Sequence, residues 1–145
     1  MKLTNRRIVL TDIDMVLAHS EWRANLITSS GWDEFHSRCE EDEPITDMVA
    51  LMKSLAISGC YLIGVTGRPE RYRKPTIKWL SDHGCELHEV LFRPNDDFGK
   101  AEEVKERLTH KLFDRVLLAF DDDERVVEMY RRNGVTALLV NGRKA

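Results

Sequence analysis

The chain has 145 residues, a formal net charge of −3 and a pI of about 6.0, with 42% hydrophobic and 32% charged residues. That balance suits one globular domain with its own core and excludes a collagenous or disordered chain. It supplies no global basic field toward nucleic acid, although a local basic patch stays open.

Lys2, Arg6 and Arg7 precede an apolar run too short for a signal peptide, and no run is long enough to span a membrane. Ile8-Val9-Leu10 reads as a buried central strand, followed by Thr11-Asp12-Ile13-Asp14. Carboxylates are costly beside such a strand, so Asp12 and Asp14 are expected just past its carboxyl end, where open α/β sheets bind ligands. Residues 20–44 hold Trp22, Trp32 and Phe35 among polar neighbours, with a short helix expected over 33–40. Ile45, Met48, Val49, Met52, Leu55 and Ala56 keep helical spacing, and Gly59 stands where a helix stops. A second buried strand over 61–65 leads into Thr66-Gly67-Arg68. Pro69 and Pro75 break the next stretch, so a helix is expected only over 76–83, ahead of Gly84. Residues 90–92 form a third strand ending at Arg93, and Val104, Leu108 and Leu112 mark a helix over about 100–112. The fourth strand, 116–120, runs into Asp121-Asp122-Asp123, with Asp123 expected at a helix N-terminus. A helix over 124–133, capped by Gly134, and a fifth strand over 135–140 complete the pattern. Alternating strands and helices predict a parallel sheet covered on both faces, a three-layer α/β fold over residues 1–145 as one domain.

Two strands that deliver aspartates at the same end suggest a cation site. Clustered carboxylates repel unless a cation sits among them, and an all-oxygen ligand set favours Mg²⁺. A phosphate completes such a site, with Thr66, neighbouring amides, a lysine and an arginine taking its remaining oxygens. One aspartate can attack phosphorus while the other handles the leaving-group and water protons. Cys39, Cys60 and Cys85 are odd in number and lack Cys-x-x-Cys spacing, which fits reduced thiols of a cytoplasmic protein rather than a disulfide or zinc framework. The five histidines share no metal-site spacing, and Trp22, Trp32 and Trp79 read as core rather than base-stacking platforms.

Asp12-Ile13-Asp14-Met15-Val16, Thr66-Gly67-Arg68, a downstream lysine and Asp121-Asp122 resemble the four motifs of haloacid-dehalogenase (HAD) superfamily phosphatases. The resemblance implies a Rossmann-like sheet of order 5-4-1-2-3 with a minimal cap. It also implies Asp12 as nucleophile, Asp14 as general acid/base, and Mg²⁺ held by Asp12, the Asp14 carbonyl, Asp121 and Asp122. Within that superfamily the chain is most similar to the 3′-phosphatase domain of phage-type polynucleotide kinase/phosphatases, through Arg23, Arg68, Trp79, Arg93, Asp97 and the run after Asp122. Thr66, Gly67, Arg68, Arg23, Arg93 and Lys105 are then the substrate- and phosphate-binding candidates, with Lys100 competing for the lysine's place. Met15 stands where a glycine is usual and Ala101 where an aspartate is common.

The interval from Asp14 to Thr66 leaves room for a flap but no large cap, and an open site suits a bulky substrate. Arg23, Arg68 and Arg93 are expected to form a positive rim for phosphodiester contacts. The leading expectation is a polynucleotide 3′-phosphatase acting on nucleic acid ends. A nucleotidase or small-molecule phosphatase of the same superfamily, or a phosphate-binding module without turnover, are the alternatives. The 145 residues contain no Gly-x-x-x-x-Gly-Lys-[Ser/Thr] loop, so end phosphorylation by that route is not expected of them.

Overall fold

A run of four residues buried on both faces, β1 (Ile8–Thr11), is the axis of the structure, a computed structural model that describes residues 5–28 and 31–142. Lys2 lies outside the described residues. Next in chain order come β2 (Ala18–His19), α1 (Asp33–Ser37), β3 (Glu43–Pro44), α2 (Thr46–Ile57) and β4 (Tyr61–Pro69). After them come α3 (Arg73–Asp82), β5 (Glu89–Arg93), α4 (Ala101–Thr109), β6 (Val116–Asp121), α5 (Glu124–Arg132) and β7 (Ala137–Leu139). The main sheet has the order β5-β4-β1-β6-β7, all parallel, with β1 in the middle as expected. β2 and β3, too short for periodicity to reveal, form a separate antiparallel pair and shift the strand numbering.

Alternation along each strand sends neighbouring residues to opposite faces. Val9 and Leu62 join Met52, Trp79, Leu80 and Phe92 beneath α2 and α3. Leu10 and Ile63 join Val126, Met129 and Tyr130 beneath α5, with Leu108 of α4 packed alongside. The three layers are thus helices, sheet, helices. Gly59 and Gly134 close α2 and α5 at φ +99° and +80°, where a β-carbon would be strained. Asp123 caps α5 by accepting a hydrogen bond from the Arg125 amide (2.9 Å).

Four local expectations change. α3 begins at Arg73 rather than after Pro75, because proline's missing N–H falls in the first turn, where no intrahelical acceptor exists. β4 runs on through Pro69 and carries Thr66-Gly67-Arg68 within the strand. The helix expected over 33–40 splits into α1 and a 3₁₀ turn, Cys39–Glu41. Trp79 is core, but Trp22 and Trp32 are 42% and 53% exposed. All three cysteines are buried and free. Among the described residues no helix is long and apolar enough to cross a membrane.

Candidate active site

Because β1 and β6 are adjacent and parallel, their carboxyl ends deliver Asp12 and Asp121-Asp122 to one place. The Asp12 amide donates to the Phe120 carbonyl (3.0 Å), which fixes the chain where the strand stops. Asp12 Oδ1 accepts from the Ile13 amide (2.8 Å), and Asp121 Oδ1 from the Asp123 amide (3.0 Å). One carboxylate oxygen from each of Asp12, Asp121 and Asp122 lies within 4.8 Å of the others, and all three residues are buried. Lys105, one turn into α4, reaches them with Nζ 2.6 Å from Asp121 Oδ2 and 3.3 Å from Asp12 Oδ1. Lys100 is exposed at the start of α4 and stands outside this group.

The charges are unbalanced, and the ionisation equilibria show it. Burial, then repulsion from Asp121, pushes the Asp12 carboxyl well above its usual range, against the pull of Lys105. Burial also raises Asp121, offset by Lys105. Burial disfavours the Lys105 ammonium, but Asp12 and Asp121 overcome it and hold the charge firmly. Three carboxylates around one ammonium are the donor set of a hard cation, and the missing positive charge is what such an ion supplies.

Asp14 points away from that cluster. Arg23 Nη2 donates to its Oδ1 (3.0 Å), and Arg68 donates Nη2 to Oδ1 (2.8 Å) and Nε to Oδ2 (3.1 Å). Burial would raise the Asp14 carboxyl, but Arg68 and then Arg23 hold it far below the ordinary carboxylate range. Both guanidiniums are fully buried, so the expected positive rim does not form from them. They sit behind the cavity because Arg23 is consumed by Asp14 and Asp42, and Arg68 by Asp14 and Thr76 Oγ1 (2.9 Å). Arg93 is also committed, donating Nε to the Gly67 carbonyl (2.9 Å) and Nη1 to those of Asp97 and Gly99 (3.0 and 2.7 Å). Thr66 is buried, with Oγ1 accepting from the Arg68 amide (3.1 Å).

Asp42 is the group that sequence reasoning missed. Its carboxylate takes Arg23 in a two-point contact, Nε to Oδ1 at 2.7 Å and Nη2 to Oδ2 at 2.6 Å. Trp22 Nε1 donates to Oδ1 as well (2.9 Å), and Arg68 Nη2 lies 3.6 Å from Oδ2. His36, equally unforeseen, is buried with no hydrogen-bond partner at Nδ1, and burial brings its pKa down to about 4. Met15 takes φ +67°, the left-handed conformation that a glycine adopts freely, so the turn after Asp14 is kept without one. A cavity of about 750 Å³ opens over the site, reaching from Asp12, Lys105 and Asp121 past Gly67 and Arg93 to α1.

Residues 6–143 match the family described as the polynucleotide kinase PNKP phosphatase domain. The chain belongs to this family. It is therefore an HAD-type phosphatase domain. A protein of Autographa californica nuclear polyhedrosis virus, named for polynucleotide kinase and RNA ligase, is 27% identical over 132 residues, 86% of this chain and 18% of the viral one. A chain of the Pnkp1/Rnl/Hen1 RNA repair complex superposes with a TM-score of 0.79 at 24% identity, covering 99% of this chain and 49% of that one. An HAD-like hydrolase from Streptococcus pneumoniae gives 0.65 at 14% identity, covering 94% and 85%. At such identities the structures speak for the fold. The chain spans less than half the length of the viral protein and of the repair-complex chain.

Proposed function

We propose that this domain is a Mg²⁺-dependent phosphomonoesterase that removes 3′-terminal phosphates from nucleic acid ends through an aspartyl-phosphate at Asp12. One observation carries the chemistry: Asp12, Asp121 and Asp122 converge within 4.8 Å beside Lys105, with Asp14 next in line on the same loop. A hard divalent cation held by these three carboxylates and the Asp14 carbonyl would neutralise charge between Asp12 and the phosphate.

The chain's own groups do the rest. An Asp12 carboxylate oxygen attacks phosphorus, the bond to the 3′ oxygen breaks, and Asp14 delivers a proton to the departing alkoxide. Asp14 then takes a proton from water, whose oxygen attacks the aspartyl-phosphate, freeing inorganic phosphate and restoring Asp12. Lys105 and the Thr66 and Gly67 amides hold the phosphate oxygens. Arg68 and Arg23 favour ionised Asp14, the form the second step needs. For the first step, Asp14 takes up a proton from solvent before the ester bond breaks, and the negative charge of the arriving phosphate raises its affinity for that proton. Arg93 serves by fixing the Gly67 carbonyl rather than by reaching phosphate.

The polynucleotide end as substrate is supported by family membership and by relatives named for polynucleotide kinase/RNA ligase and for RNA repair. The test is phosphate release from a 3′-phosphorylated oligonucleotide with Mg²⁺ or EDTA, beside Asp12→Asn and Asp14→Asn. Metal-dependent release lost in both variants is expected. Turnover of nucleoside monophosphates in preference to the oligonucleotide would assign a nucleotidase, and binding without release would assign a non-catalytic module.

A further inference from the structure

We propose that the aromatic wall of Trp32, Phe35 and His36, with Phe98 also lining the cavity, is a subsite for the terminal nucleobase of the substrate. The inference rests on the function proposed above and adds what recognises the leaving group.

Trp32 and Phe98 are the most exposed aromatic side chains among the described residues, at 53% and 90%, and both line the cavity that holds Asp12 and Asp14. Two large rings left open around one cavity offer apolar faces on which a flat ring can settle. Trp32 is also braced from behind. Its ring stacks on His36 at 6.1 Å and 25°, and meets Phe35 edge-on at 5.5 Å. His36 packs in turn on Phe35 (5.2 Å) and Tyr72 (5.3 Å). A ring held in this way loses little freedom when a base settles on its open face.

The wall also stands on the correct side of the phosphate. The leaving oxygen must face Asp14, the proton donor, and Asp14 is joined to the wall through Arg23. That guanidinium donates to Asp14, lies 4.3 Å from the Phe35 ring centroid, and hydrogen-bonds the Phe35 carbonyl. An alkoxide departing toward Asp14 therefore places its nucleoside beside Phe35, His36 and Trp32.

The charged side chains of the lining are largely engaged with one another or with backbone. Away from the phosphate, the ionic groups of the lining are already engaged: Asp33 with Arg71, Asp97 with Arg107, and Arg93 with backbone carbonyls. With those groups engaged, the grip on the strand falls to the neutral faces of a base. Stacking tolerates any base. The subsite therefore reads the presence of a base rather than its identity.

The experiment compares two 3′-phosphorylated oligonucleotides that differ only in whether the terminal residue bears a base, using wild type, Trp32→Ala, Trp32→Phe and Phe98→Ala. Wild type is expected to favour the base-bearing end by about tenfold in kcat/KM, equivalent to about 1.4 kcal/mol and within the range of base–aromatic stacking. In Trp32→Ala that ratio collapses toward one, mainly through KM, and Trp32→Phe restores most of it. Equal turnover of both ends by wild type, or losses in Trp32→Ala that are the same for both, would overturn the subsite and leave the phosphatase reading intact. Turnover of neither end by wild type overturns both.

Discussion

Asp42→Asn is the sharpest test of the charge logic behind Asp14. The substitution keeps the shape of the side chain and removes its charge. In the native arrangement Arg23 and Arg68, both fully buried, face Asp14 and Asp42, so two cations meet two anions. Asparagine leaves two buried guanidiniums on one carboxylate. It also turns one arm of the two-point contact with Arg23 (2.6 and 2.7 Å) into donor facing donor. Breaking a buried ion pair by removing one partner costs about 3–5 kcal/mol, a large part of a domain's stability of roughly 5–15 kcal/mol. Urea denaturation monitored by circular dichroism should show the midpoint falling by roughly 2 M at unchanged slope. Trp22→Phe, which removes only the Trp22–Asp42 hydrogen bond (2.9 Å), should cost about 1 kcal/mol. Arg23→Gln added to Asp42→Asn should cost far less than it does alone, because the carboxylate that losing Arg23 would strand is already gone. A loss under about 1 kcal/mol for Asp42→Asn would refute the claim that Asp42 balances the arginines.

The same geometry sets three further outcomes. Lys105→Met should lower kcat by ~100-fold or more, as loss of one oxyanion-type donor does, whereas exposed Lys100→Met should stay within about twofold; equal losses would show that the lysine was misassigned. For His36, an ordinary pKa of 6.5 falls to about 4 in the folded protein, so between those values the unfolded chain binds more protons. Its contribution is therefore full above pH 6.5 and disappears as pH falls to about 4, a span worth about 3 kcal/mol; stability against pH for His36→Asn should run flatter than wild type across that window. In EDTA at neutral pH, Asp12→Asn should melt no lower than wild type, since ionised Asp12 is disfavoured by burial and by Asp121; Mg²⁺ should raise the midpoint of wild type and not of the variant. A variant that melts lower in EDTA would count against the unbalanced cluster.

The part of the site that the sequence displays is the part borne by regular elements. Apolar runs that end in acid mark Asp12 and Asp121-Asp122, because a buried strand tolerates carboxylates only where it stops. Helical spacing gives α2, α4 and α5, and with them the parallel order that places those ends together. Even the choice between Lys100 and Lys105 turns on one helix boundary: α4 begins at Ala101, so Lys105 lies a full turn inside, next to buried Val104 and one turn before buried Thr109. Pro75 misled because a proline excluded from helix interiors is acceptable in a first turn.

The flap carries no such signal. Among the described residues between β2 and β3 the chain makes 3₁₀ turns and one five-residue helix, too short to impose a period on their side chains. Asp42 sits inside an acidic run, Glu40-Glu41-Asp42-Glu43, in which nothing local separates the buried residue from its exposed neighbours. Only the partners select it, and they come from two distant places, Arg23 at the start of the flap and Arg68 on β4. The same holds for the arginines, whose motif positions were legible while their direction was not. An arginine near a phosphate site is expected to reach for phosphate, but a buried one goes where a carboxylate can match its charge. Because Asp14 and Asp42 supply that match, Arg23 and Arg68 hold Asp14 from behind instead of lining the cavity.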